Sequence, residues 1–224
     1  MHDVWIVLFG LGLGTIVVRI GVAYVTHIRS LLAAQRATQS GGVKVDEVFL
    51  PGTALVFLVA GNVWLLVSRA GPGWSAAANV LFVLLLWLLA YIDARTTILP
   101  DALTGALAAS GLVLHLCGSH DQAQDYSVYF AMVLGYVIPM LINAVYRCAS
   151  GADADAIGQG DAKLLAGMGI WLGLHPLCMV IMSAAWLSLI YTLCKGLKSR
   201  SLPLAVPLGP FLALAGNIWI VKHV

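Results

Sequence analysis

Residues 80–93 read VLFVLLLWLLAYID, thirteen apolar side chains followed directly by an aspartate with no polar spacer. The span extends back, across Asn79, to Ala76, behind the breaker Gly71-Pro72-Gly73. That length approaches the about 20 apolar residues of a helix that crosses a bilayer. The rest of the chain agrees: of 224 residues, 61% are hydrophobic and 10% charged, where a soluble domain carries about 25% charge. Eight crossings would use roughly 160 positions and leave little for a soluble domain. The expected fold is an all-α polytopic membrane protein of about eight helices, a single membrane domain over 1–224.

Apolar runs between breakers place the other spans. The first covers about Val4 to Val25; it is too long and glycine-rich for a cleaved leader and has no A-x-A site after it. The second covers about Leu50 to Val67, after the polar stretch that begins at His27. Residues 1–75 thus form an N-terminal two-helix region with a short loop, 27–49. The third is Ala76 to Ile92, the fourth Ala102 to Leu116, and the fifth Tyr126 to Tyr146, which carries Pro139. Such a proline is tolerable in a bundle. Between Leu164 and Cys194 lie 31 uncharged residues, too many for one span and too few for two full ones. His175-Pro176 is the expected divide of a hairpin of two short helices, the first starting at or before Asp161. The last span, Leu202 to Val221, should begin irregularly because of Pro203, Pro207 and Pro210.

Lys and Arg in short loops favour the cytoplasm. With the N-terminus outside, one side holds Arg29, Arg36, Lys44, Arg95, Arg147, Lys163, Lys195, Lys198 and Arg200; the other keeps Arg69 and Lys222. Arg19 can snorkel. Nine against two sets the orientation and supports the even span count. The net charge of +2 gives no reason to expect a nucleic-acid partner; the lipid bilayer is the expected surroundings. Cys117, Cys148, Cys178 and Cys194 contain no C-x-x-C pair, so no metal site is expected, and they read as small apolar fillers. Tryptophans such as Trp74, Trp171 and Trp219 read as interface anchors.

Most of the ten acids belong to loops. Asp93 and Asp161 differ. Asp93 ends the run above, and Asp161 follows Gly158-Gln159-Gly160 and opens an apolar stretch. Each alone reads equally well as a helix-end carboxylate, which a helix N-terminus favours. Together they say more, because two crossings separate them and an even number returns the chain to the same, cytoplasmic, face. Two carboxylates meeting in a low-dielectric pocket share a proton, so one can act as base toward water while the other protonates the scissile carbonyl. That is the chemistry of an aspartic peptidase. The glycines beside Asp161 let a substrate strand or a partner helix approach the backbone closely.

Three segments carry a resemblance. Tyr91-Ile92-Asp93-Ala94-Arg95-Thr96-Thr97-Ile98-Leu99-Pro100-Asp101 resembles the first catalytic segment of the type IV prepilin peptidases, with its hydrophobic-Pro-Asn/Asp turn at Pro100 and Asp101. Gly158-Gln159-Gly160-Asp161-Ala162-Lys163-Leu164 is similar to their GxGD segment, and Pro207-Leu208-Gly209-Pro210-Phe211 to a third near their C-terminus. The resemblance covers residue 76 onward, so 76–224 would be the peptidase core.

The resemblance implies a bacterial inner-membrane aspartic endopeptidase that removes the basic leader of a prepilin or pseudopilin on the cytoplasmic side, with Asp93 and Asp161 as the dyad and no cofactor. It also implies motif or substrate-contact roles for Gly158, Gly160, Lys163, Pro100 and Asp101. Lys163 reads either as a contact to substrate or lipid phosphate or, more plainly, as an inside-loop anchor. Asp101 reads as the N-cap of the fourth helix rather than a catalyst. Asp153 and Asp155 could attract a basic leader, but read more plainly as solvated loop acids.

Many members of the family carry a cytoplasmic domain with paired C-x-x-C zinc ligands, linked to methylation of the new pilin N-terminus. Loop 27–49 has no cysteine, which argues against zinc and against S-adenosylmethionine-dependent methylation. Gly10-Leu11-Gly12-Leu13-Gly14 reads as a close helix-packing face, not a nucleotide site, since no strand precedes it. His115 and His175 fall on the side away from the dyad and read as surface or packing residues. Two other classes stay open on the sequence. A proton- or cation-coupled transporter would place acids near the midplane and show an inverted repeat, neither of which is seen. An inactive assembly subunit of a pilus or secretion system needs neither acid.

Overall fold

A computed structural model describes residues 2–36, 52–70, 73–117, 126–151, 155–199 and 206–223. Among them are eight helices: α1 (His2–Arg36), α2 (Gly52–Ala70), α3 (Trp74–Thr96), α4 (Asp101–Leu116), α5 (Ser127–Ser150), α6 (Gln159–Leu172), α7 (Leu174–Ser199) and α8 (Gly209–His223). No strand occurs among the described residues. Stretches within α1, α2, α3, α5 and α7 are long and apolar enough to cross a membrane. The remaining three, α4, α6 and α8, have 16, 14 and 15 residues. Long apolar side chains point outward along the helices, among them Phe130, Val133, Leu141 and Val145 on α5. An outer surface of this kind suits lipid and not water, and the protein is an all-α polytopic membrane protein.

The chain divides into two compact units, Met1–Ile98 with Ser183–Val224, and Leu99–Met182. In the first, α3 is the centre, packed by α1, α2 and α8. The seam between α1 and α2 is glycine-lined: a Cβ at Gly10 would come within 2.9 Å of the Ala60 Cα, and one at Gly14 within 2.9 Å of the Val56 carbonyl. These close approaches bear out the packing face expected there. Further along α1, Gly21 lies flat against the Tyr91 ring of α3.

In the second unit α6 is the centre, between α4 and α5. Its residues Leu164 to Leu172 are all buried, as expected of a helix that is apolar all round. Gly135 on α5 faces the Leu165 carbonyl, and Gly169 on α6 faces the Ala131 carbonyl, each too close to accept a Cβ. Small residues at both positions let the two backbones touch. Along α4 and α6, Leu107 packs on Gly167 and Trp171 on Gly111. The two helices therefore run parallel, with their N-termini at one end, while α5 runs antiparallel to α6.

Several expectations are corrected. Helix α1 continues to Arg36, past the Val25 expected from hydropathy, because His27–Arg36 mixes polar residues with Leu31, Leu32, Ala33 and Ala34, contains no Gly or Pro and keeps helical propensity outside a continuous apolar run. Loop 27–49 is thus helical as far as Arg36, and residues 37–49 lie outside the described residues. The hairpin breaks at Gly173, φ +79°, not at His175-Pro176. Pro176 sits instead in the first turn of α7, where a missing N–H removes no intrahelical bond. Nor is α7 short: it has 26 residues, because the helix runs on through Lys195 to Ser199.

All four cysteines are exposed and none fills a core, which a lipid-facing surface accepts for so weakly polar a group. Trp171 is buried, its indole N–H donating to the Leu107 carbonyl at 2.8 Å, while Trp74 is exposed. Residues 206–208 precede α8 without helical structure, consistent with the irregular start expected before it.

Candidate active site

Asp93 lies in the last turn of α3 and is 4% exposed. Helix α3 ends at Thr96 and is capped by Thr97, a non-glycine residue in the left-handed region (φ 54°), whose N–H donates to the Asp93 carbonyl at 2.8 Å. A β-branched residue there is a strained stop. It ends the helix within one turn of the aspartate. The surroundings of this end are basic: Arg95 lies over the Tyr91 ring at 5.5 Å, and the Arg29 guanidinium of α1 donates to the Arg95 carbonyl at 3.4 Å.

The third motif segment meets Asp93 directly. Gly209, at the start of α8, donates its backbone N–H to Asp93 Oδ2 at 3.0 Å. A Cβ at this position would come within 2.6 Å of the same oxygen. The sequence singled out Pro207–Phe211 without a role; the contact could not be read from it, since nothing local says which carboxylate an amide 116 positions away will face.

In the second unit, Asp161 stands in the first turn of α6, whose free N–H groups favour a carboxylate. It is half-buried. The turn that delivers it is Gly158, with the Asp161 N–H on the Gly158 carbonyl at 3.0 Å. A side chain on Gly158 would crowd Asp161 Oδ2, at 3.2 Å from the added Cβ. Gly160 is covered by Leu99, whose Cβ lies 2.8 Å from the position a Gly160 Cβ would take. Gly160 does admit a close neighbour, and that neighbour is Leu99 in the tail of the first motif segment, whereas Gly158 makes room for the Asp161 side chain itself.

Pro100, not Asp101, is the N-cap of α4, and no side chain caps that end. Asp101 is the first helical residue and pairs instead with Lys163 at 2.6 Å. The expected cap is corrected: Pro100, with φ −71° and ψ 128°, already supplies the extended residue before the first turn, which makes Asp101 the first helical residue and leaves its carboxylate to meet the α6 ammonium. Lys163 thereby acquires a structural partner on α4 that neither of its sequence readings contained. Beside this pair opens a cavity of about 320 Å³ lined also by Thr104, Gly105 and Tyr136. Asp155 pairs with Arg147 at 3.6 Å, and Asp153 lies outside the described residues.

Sequence reasoning missed Asn143. It is buried in α5, and its side chain accepts from the Ile157 N–H at 2.8 Å and donates to the Ile157 carbonyl at 2.7 Å. The amide fastens the segment just before Gly158 to α5. A lone amide in the run LINAVY was the available signal, because a buried amide must find partners. At the far end of the same unit, His115 is buried in the last turn of α4. His175 lines a mostly apolar cavity of about 540 Å³ with Ser127 and Pro176. Both histidines are therefore remote from Asp161. Among the described residues no three His, Cys, Asp or Glu side chains gather as metal ligands would.

Comparison with known proteins adds the family. The model of the type IV leader peptidase family matches residues 80–193, just over half of the chain. The chain is 36% identical over 172 residues to a prepilin leader peptidase/N-methyltransferase of Pectobacterium carotovorum subsp. carotovorum, covering 76% of this chain and 58% of that protein. The protein of the same name from Dickeya chrysanthemi is 34% identical, with 77% and 58% covered, and that of Neisseria gonorrhoeae 31%, with 75% and 56%. The chain thus spans somewhat over half the length of these curated relatives. No solved structure matches it. With both motif acids, Asp93 and Asp161, inside the matched segment, the chain belongs to the type IV leader peptidase family.

Proposed function

We propose that the protein is an aspartic endopeptidase of the bacterial inner membrane that cuts the basic leader from a prepilin or pseudopilin at the cytoplasmic face. Asp93 and Asp161 are its catalytic pair, and residues 76–224 hold the working part. The observation that carries this reading is that the family match over 80–193 contains both acids, each at a helix end and neither in the middle of an apolar span. Two helices, α4 and α5, separate them in the chain, so both belong to one face, with the N-terminus of α1 on the other.

The chemistry needs one proton for two carboxylates. The ionised member takes a proton from water while the protonated member donates to the scissile carbonyl oxygen, giving a tetrahedral diol. The same groups then return a proton to the leaving amine, and the pair ends as it began. At high pH both acids ionise and no donor remains; at low pH both are protonated and no base remains. Activity therefore falls on either side of an optimum, and a rate constant far into the alkaline range overturns the shared proton. Methylation is assigned to no residue of this chain, since 27–49 lacks the cysteines that the zinc-bearing members have.

The test is incubation of the purified full chain with a candidate prepilin, with the cut site and the mass of the new N-terminus read by mass spectrometry. Cleavage just before the pilin's apolar helix, at an unmethylated residue, is the expected result. No cleavage of any prepilin by folded protein overturns the reading.

A further inference from the structure

We infer that Gly209 is a positioning residue for the reaction: its backbone N–H holds Asp93 Oδ2 and so fixes the direction in which the carboxylate faces. The inference rests on the peptidase reading above and adds to it the device that aims one of its acids.

Three features of the first unit carry it. A carboxylate in the last turn of a helix faces unpaired carbonyls, an unfavourable place for negative charge. Asp93 sits there, three residues before the end of α3. Helix α8 begins at Gly209, and the first N–H groups of a helix have no intrahelical partner. The N–H groups of Phe211 and Leu212 turn back to the Leu208 carbonyl at 3.1 and 3.0 Å, and Pro210 has no N–H. The Gly209 amide is directed at Asp93 Oδ2, at 3.0 Å. The start of one helix thus offsets the end of another, and the carboxylate is the link between them.

Glycine is required by space. An added Cβ would stand 2.6 Å from Asp93 Oδ2, 3.0 Å from its Cγ and 3.1 Å from its Cβ. Gly209 is itself buried. The tightest contacts are with the carboxylate, which can turn about χ1 and χ2. A methyl group at 209 therefore displaces the carboxylate, and the contact with Asp93 Cβ at 3.1 Å asks the two helices to give by only a few tenths of an ångström.

Two variants separate aiming from folding. Gly209→Ala keeps the amide and adds the methyl group; replacement of Gly209 by glycolate, through nonsense suppression, exchanges the N–H for an ester oxygen that cannot donate, adds no side chain, and leaves the Leu208 carbonyl a weaker acceptor for Phe211 and Leu212. Both are assayed on a prepilin that the unaltered protein cleaves, with thermal unfolding in detergent as the check on folding. The expected result is a fall in kcat of about tenfold or more in each, the scale of one lost positioning contact, with KM within about twofold. Wild-type kcat in the glycolate variant overturns the inference. So does a raised KM with unchanged kcat, which would place Gly209 in substrate binding. If Asp93→Asn is inactive while both Gly209 variants cleave normally, only this inference fails; if the unaltered protein cleaves nothing, the peptidase reading fails with it.

Discussion

The C-terminal end of α3 and the N-terminal end of α6 each present an aspartate, and they do it by opposite means. At α6 the local chain suffices: the Gly158 turn delivers Asp161 into a first turn whose free amides suit a carboxylate. At α3 the local chain is unfavourable, with Asp93 set among carbonyls just before a left-handed Thr97. There the compensation comes from far along the sequence, through the Gly209 amide. The difference teaches that one acid is a property of a motif and the other of a packing arrangement. Motifs with similar signatures can thus rest on unlike physics.

The comparison is broken most severely at the acids themselves. Asp93→Asn and Asp161→Asn should each cut prepilin cleavage by at least about 100-fold, the scale of a lost general acid or base, while membrane insertion is unchanged on fractionation. An Asp161→Asn protein with near-normal turnover would leave Asp93 to act alone and end the pairing.

Packing in the second unit comes next. A methyl group at Gly169 would lie 2.6 Å from the Ala131 carbonyl oxygen, a backbone atom with little freedom to move. Gly169→Ala should therefore cost about 1–3 kcal/mol, seen as a lower unfolding temperature in detergent. Gly12→Ala, with nothing within 4 Å of the added atom, should cost nothing. Equal melting temperatures for the two would refute the close α5–α6 contact.

Asn143→Ala sharpens the α6 side of the comparison. It leaves the Ile157 N–H and carbonyl without their side-chain partner, at a cost of about 1–3 kcal/mol. Cleavage should fall with it, because the turn before Asp161 loses its tether. Undiminished cleavage would show that the Gly158 turn holds Asp161 unaided. The smallest effect is expected from Lys163→Ala. Asp101 in this pair is largely exposed, and such pairs contribute about 0.2–1 kcal/mol. A loss of cleavage beyond about tenfold would instead assign Lys163 to substrate.

Much of the architecture was legible before any coordinates. Apolar runs between Gly, Pro and charged breakers located eight helices, because a bilayer-crossing segment must satisfy its backbone internally and expose apolar side chains. The boundaries that went wrong did so for local reasons. Hydropathy cannot see the mixed polar and apolar continuation of α1, and a proline two or three residues into a helix looks like its break when Gly173 makes the turn. Cysteine and tryptophan burial was misjudged because an apolar residue in a membrane protein can face lipid or core equally well.

Sequence by itself determined the membrane class, the family motifs and Asp161 at its helix start, since each follows from spacing within a few residues. Only the tertiary structure decided that Gly209 holds Asp93, that Lys163 pairs with Asp101 and that Asn143 ties down the turn before Gly158. These contacts join helices distant along the chain. Their partners are chosen by how helices pack, which no short stretch of residues encodes.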